Sequence, residues 1–107
     1  MKKNGVTHTT WNILEELGIP NAEEIAAKVF LAVQINKAIE VRNLKQQAAG
    51  KVLGLPQSKV SLIRNYKVDS FSLEKLMSLL NALNRDIEII VHTKATRRKG
   101  RITLLAA

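Results

Sequence analysis

The sequence predicts a mainly α fold, a compact domain of five helices closed by a C-terminal β-hairpin. Three observations carry that expectation. Apolar residues recur at helical spacing over residues 21–42 and 72–83. Residues 44–67 have the spacing of two short helices crossing at a tight, glycine-bearing turn. From residue 87 the apolar period changes from helical to alternating. At 107 residues the chain has the length of one domain with a modest core, and no repeat, low-complexity run or linker divides it. It is read as a single domain, 1–107, with an N-terminal arm and short helix (1–20), a helical core (21–85) and a hairpin (86–107) expected to serve dimerisation.

Residues 1–10 are polar. Residues 11–17 make one or two helical turns, with Thr10 or Asn12 as N-cap and Gly18 and Pro20 ending them; Trp11, Ile13, Leu14 and Leu17 then need cover. Asn21 with Glu24 three residues on is a capping-box pattern, and Glu23 and Glu24 suit the positive end of a helix dipole. The helix that follows is expected to reach about Arg42, with Leu31, Ala32, Ile35, Ala38 and Ile39 facing a core. Val29, Phe30 and Val33 widen that stripe, so something must pack on a second side. Residues 11–17, of this chain or a partner, are the candidate.

In the central stretch, residues 46–53 form the first short helix. Gly54 takes the positive φ of the sharp turn, and Gly50 keeps the crossing point small at about 1 kcal/mol in helix propensity. Pro56 suits the first turn of the second helix, where its missing N–H would be unpaired anyway. Leu55, Val60 and Ile63 close the small core from the other side. Gln57, Ser58, Lys59, Ser61, Leu62 and Asn65 are left facing outward, with no carboxylate among them. Phe71 plugs the core, and Ser72 caps a helix through Leu83 that turns Leu73, Leu76, Met77, Leu80 and Leu83 inward. Ile87, Ile89 and Val91 then alternate with Glu88, Ile90 and His92 as in a strand, and a polar loop leads to a second strand over residues 101–105. An isolated two-stranded hairpin is marginal in water, so it is expected to pack on the helices and pair with a second subunit.

The series Leu44, Lys45, Gln46, Gly50, Leu53, Gly54, Leu55, Pro56, Gln57, Val60, Ser61 and Ile63 resembles the phage-repressor-like (Xre/Cro-type) helix-turn-helix family. The flanks NAEEIAAKVFLAVQINKAI, FSLEKLMSLLNAL and DIEIIV look like its HigA-type antitoxin and orphan-regulator branch. The resemblance covers residues 21–91. It departs from the family pattern at Lys45 (commonly Thr), Pro56 (commonly Ser or Thr) and Tyr66 (often Gly). Tyr tolerates a left-handed position poorly and Asn65 can take it instead, so the sequence leaves the end of the second helix open between the two. The resemblance implies double-stranded DNA as partner, with Gln57, Ser58, Ser61 and Leu62 at base edges in the major groove. It implies backbone contacts from Lys45, Gln46, Lys59, Arg64, Asn65 and Lys67, a homodimer, and a transcriptional regulator acting as a repressor. The alternative is an antitoxin that neutralises a small basic toxin and autoregulates its operon; residues 1–19 are then the candidate toxin-binding segment.

The charge agrees with an anionic partner. There are 17 Lys and Arg against 9 Asp and Glu, a formal charge of +8 and a pI near 10.1. Residues 1–42 hold five basic and five acidic side chains, whereas residues 43–85 hold seven basic ones against Asp69 and Glu74, so the excess falls on the paired short helices. The run Arg97, Arg98, Lys99 and Arg101 either grips flanking DNA or an acidic partner, or is a solvated loop. With no cysteine there is neither a disulfide framework nor thiolate chemistry. The N-terminus lacks an apolar targeting segment, and the longest apolar runs fall far short of the ~20 residues that span a bilayer. A cytoplasmic protein without membrane attachment is expected. His8 and His92 have no second ligand at metal spacing, and nothing nucleophilic surrounds Asp69 and Glu74, so neither a cofactor nor an enzymatic activity is expected.

Overall fold

The computed structural model describes residues 22–93 and 101–107. Four helices follow one another among these residues: α1 (Ala22–Val41), α2 (Gln46–Leu53), α3 (Gln57–Arg64) and α4 (Leu73–Ala82). The long α1 packs chiefly on α4, and α2 on α3, while α3 also reaches α1 and α2 reaches α4. The core between them contains Ile35, Ile39, Val60, Ile63, Leu76, Leu79 and Leu83, all but inaccessible to water. Each such side chain contributes about 1.5–3 kcal/mol by leaving water. Phe71 is buried as expected, and Ser72 caps α4 by accepting from the Lys75 amide at 3.0 Å.

All four helices close in the same way. The amides of Leu44, Leu55, Lys67 and Arg85 donate five residues back, to the carbonyls of Ile39, Gly50, Leu62 and Leu80, at 2.8 to 3.1 Å. Such a closure requires the preceding residue to be left-handed, and Asn43, Gly54, Tyr66 and Asn84 have φ of 54°, 69°, 60° and 64°. Three of these are Asn or Gly, the types that visit this region most readily. The fourth decides the end of α3, which the sequence left open. Asn65 keeps φ at −102° and donates its amide to the Ser61 carbonyl at 2.8 Å, so Tyr66 takes the left-handed position, at a cost of about 1–2 kcal/mol.

Two expectations of the sequence are corrected. The count of five helices is not supported. Four are found among the described residues, and the segment expected to form the first, residues 11–17, lies outside them together with the Asn21 cap. At seven residues that segment is far below the 12–15 at which an isolated helix becomes marginal, so its apolar pattern alone does not establish a helix. Nor is there a C-terminal β-hairpin: neither residues 86–93 nor 101–107 contain a strand. Alternation marks which side chains would share a face, but a strand also needs a ladder partner and a covering layer. Ile89, Ile90 and Val91 are 78%, 57% and 87% exposed, so both faces of the alternating run lie open, and the helical core is closed at Leu83 without it.

Candidate nucleic-acid interface

The paired short helices are organised by two glycines with different jobs. A Cβ on Gly50 would lie 2.6 Å from the Leu55 carbonyl oxygen, which is backbone and cannot swing aside; Val60 Cγ2 is next at 3.6 Å. The turn itself therefore presses on α2, more closely than the facing helix does. At Gly54 a Cβ would meet nothing within 4 Å, so the requirement there is conformational: φ is 69° and ψ 33°. Pro56 sits one position earlier than expected, as the N-cap of α3 and not in its first turn. Its carbonyl accepts from the Lys59 and Val60 amides at 2.9 and 3.1 Å. Neither Lys45 before α2 nor Pro56 before α3 caps its helix with a side chain. No side chain therefore meets the amides that begin either helix, and in α3 only the Lys59 amide of the first turn is taken up, by the Pro56 carbonyl.

Val60 and Ile63 anchor α3 in the core, and Gln57, Ser58 and Lys59, which make its first turn, are all exposed. Ser61 is half-buried. Leu62 is also half-buried and packs on the core, so only part of its side chain is presented outward. Lys45 and Gln46 at the start of α2, and Asn65 and Lys67 just after α3, are exposed. Lys59 extends over Phe71, with its Nζ 5.7 Å from the ring centroid, within the range of a cation–π contact.

Arg64 stands apart from the other predicted contacts. Its Nη1 donates to Asn36 Oδ1 at 2.9 Å and to the Asn36 carbonyl at 3.4 Å, and its Nη2 lies 3.3 Å from Glu40 Oε2. Asn36, 3% exposed, uses the other end of its amide to donate to the Ile63 carbonyl at 3.0 Å. The last turn of α3 is therefore tied to the middle of α1 through a buried amide. Sequence reading missed Asn36. The available signal was its place beside Ile35 and three residues before Ile39, on the edge of the core-facing stripe of α1.

Residues 1–19, Arg97, Arg98 and Lys99 lie outside the described residues, whereas Arg101 is exposed. Among the described residues no group of His, Asp and Glu is arranged to hold a metal, and no helix is long and apolar enough to cross a membrane.

Comparison with known proteins adds two findings. The family described as a helix-turn-helix domain matches residues 13–92. A solved structure described, provisionally, as an XRE family transcriptional regulator is similar at 47% identity with a TM-score of 0.77, over 82% of this chain and 100% of that one. No curated protein matches.

Proposed function

The chain belongs to the helix-turn-helix domain family, and on that premise we propose that it is a sequence-specific, double-stranded DNA-binding regulator of transcription. The observation that carries the reading is the α3 surface. Its buried residues, Val60 and Ile63, hold the helix in the core, while Gln57 and Ser58 stand exposed at its start. Set into a major groove, Gln57 matches the paired acceptor and donor of adenine, Ser58 and Ser61 offer hydroxyls to base edges, and the outward part of Leu62 suits a thymine methyl. Lys45, Lys59 and Lys67 supply charge to phosphates, and Gln46 and Asn65 supply amides. Arg64, already engaged by Asn36 and Glu40, positions the helix.

The protein acts as a homodimer, with two α3 helices about 34 Å apart on a near-palindromic site, and represses by occupying a promoter. The exposed apolar run Ile87, Ile89, Ile90 and Val91 supports that assembly, because such a patch is buried in most soluble proteins that carry one.

The test is selection of bound duplexes from a random pool, followed by binding measurements on the enriched site and on unselected DNA. Gln57→Ala is expected to lose about 1–3 kcal/mol, roughly 5- to 150-fold, on the enriched site and little elsewhere. Lys59→Ala should weaken both and reduce the slope of log affinity against log salt by about one. Equal losses on both DNAs would remove Gln57 from base reading, and a pool that never enriches would remove the function.

A further inference from the structure

The side chain of Asn65 is turned on Ser61, one helical turn earlier in the chain and a residue placed above at a base edge. Its Nδ2 donates to the Ser61 carbonyl at 2.8 Å and lies 3.4 Å from the Ser61 hydroxyl oxygen. A carbonyl only accepts, so this contact fixes which end of the amide faces Ser61: the nitrogen. Ser61 Oγ therefore stands against an NH2 group, which draws the oxygen's lone pairs toward itself and turns the hydroxyl hydrogen away. A helical serine can direct that hydrogen at a carbonyl three or four residues back, as Ser78 does to Lys75 at 2.7 Å. Among the described residues Ser61 makes no such bond, which leaves its hydrogen free. Ser61 is half-buried and Asn65 exposed, so the pair is reachable from outside.

We infer that Asn65 is a positioning residue that makes Ser61 a one-way reader, a hydrogen-bond donor to the base it meets; the inference rests on the DNA-binding reading above and sharpens it. A serine hydroxyl left to itself donates or accepts, and so discriminates weakly between bases. Held as a donor, it needs an acceptor in the major groove: N7 or O6 of guanine, N7 of adenine, or O4 of thymine. Cytosine presents there only its N4 amino group, itself a donor, and the two would face each other hydrogen to hydrogen. The base that meets Ser61 is therefore guanine, adenine or thymine, and cytosine is refused. The contact of 3.4 Å is long for a hydrogen bond, so Oγ does not use up the second amide hydrogen and Asn65 can still reach a phosphate. What Asn65 gives Ser61 is orientation.

The experiment is selection of bound duplexes from a random pool by the full chain, read by sequencing, for the wild type, Ser61→Ala, Asn65→Ala and Asn65→Asp. Ser61→Ala should flatten the preference at one position of the enriched site, which identifies the base it meets. At that position the wild type is expected to disfavour cytosine about 2- to 12-fold, the range set by one hydrogen bond. Asn65→Ala releases the hydroxyl to turn back on the Gln57 carbonyl and accept, so cytosine should return there while every other preference is kept. Asn65→Asp puts an acceptor where the donor was and should turn the hydroxyl round, making cytosine favoured. Loss of a phosphate contact or of helix stability would instead weaken all sequences alike and leave the profile unchanged. The inference is overturned, with the DNA-binding reading intact, if the wild type enriches a site in which no position responds to Ser61→Ala. It is overturned in the same way if cytosine is tolerated at the Ser61 position, or is still refused there by both Asn65 variants. A wild-type pool that never enriches would remove both readings together.

Discussion

Asn36 has both ends of its side-chain amide engaged with the last turn of α3, one through the Ile63 carbonyl and one through the Arg64 guanidinium. Removing Arg64 leaves the buried Asn36 oxygen unmatched, and removing Asn36 takes a hydrogen bond from both the Ile63 carbonyl and the Arg64 guanidinium, each a loss of about 1–3 kcal/mol. Asn36→Ala and Arg64→Ala are each expected to lower stability by that amount in denaturant melts. The double variant should lose less than the sum, with a coupling of about 0.5–3 kcal/mol. Arg64→Ala should also leave the salt dependence of DNA binding unchanged, because a guanidinium held by Asn36 and Glu40 displaces no counterion. A slope reduced by about one would instead place Arg64 on a phosphate. At this scale the apolar stripe of α1 could be read from the sequence, because helical spacing lines up Leu31, Ile35 and Ile39. The Asn36–Arg64 pair could not. Its members are 28 residues apart, and a polar residue at the edge of a stripe looks the same whether it faces water or a partner.

The crossing of α2 and α3 turns on Gly50, where two effects oppose each other. Propensity alone favours Gly50→Ala by up to about 1 kcal/mol. The added Cβ, 2.6 Å from the Leu55 carbonyl oxygen, forces backbone apart and costs about 1–3 kcal/mol, as overpacking does elsewhere. Contact with immovable backbone is expected to win, so Gly50→Ala should melt at a lower temperature than the wild type. A higher melting temperature would mean that the turn can recede from α2 without loss. The bounds of α2, the glycine turn and the Ser72 cap were all legible, because each depends on neighbours within one helical turn. The choice of Tyr66 over Asn65 was not. It is set by which amide closes on Leu62, a matter of register that side-chain preference does not determine. The expected strands fail for a related reason, since period 2 describes a face and contains nothing about what would cover it.

For the described residues, the four helices form a closed core that ends at Leu83, and Ile87, Ile89, Ile90, Val91, Ile102 and Leu105 beyond it are exposed. Removing residues 86–107 should therefore keep the helical signal in circular dichroism and convert the proposed dimer to a monomer in sedimentation. A dimer that survives the truncation would move the seam to another surface. That Gln57, Ser58 and Lys59 are exposed was legible from helical spacing, and the excess of basic side chains in residues 43–85 is what pointed to this stretch as the proposed site. How much of Leu62 is free to touch a base was not legible, because that depends on packing from outside its own helix. One property of this stretch reaches further. Residues 43–68, which supply every proposed contact, contain no Asp, Glu or His, the side chains that change charge between about pH 4 and 8. Acidity consequently has no switch to throw on the proposed DNA-facing surface. Ionic strength is expected to reach the proposed grip directly, whereas a falling pH is expected to act only through residues outside it.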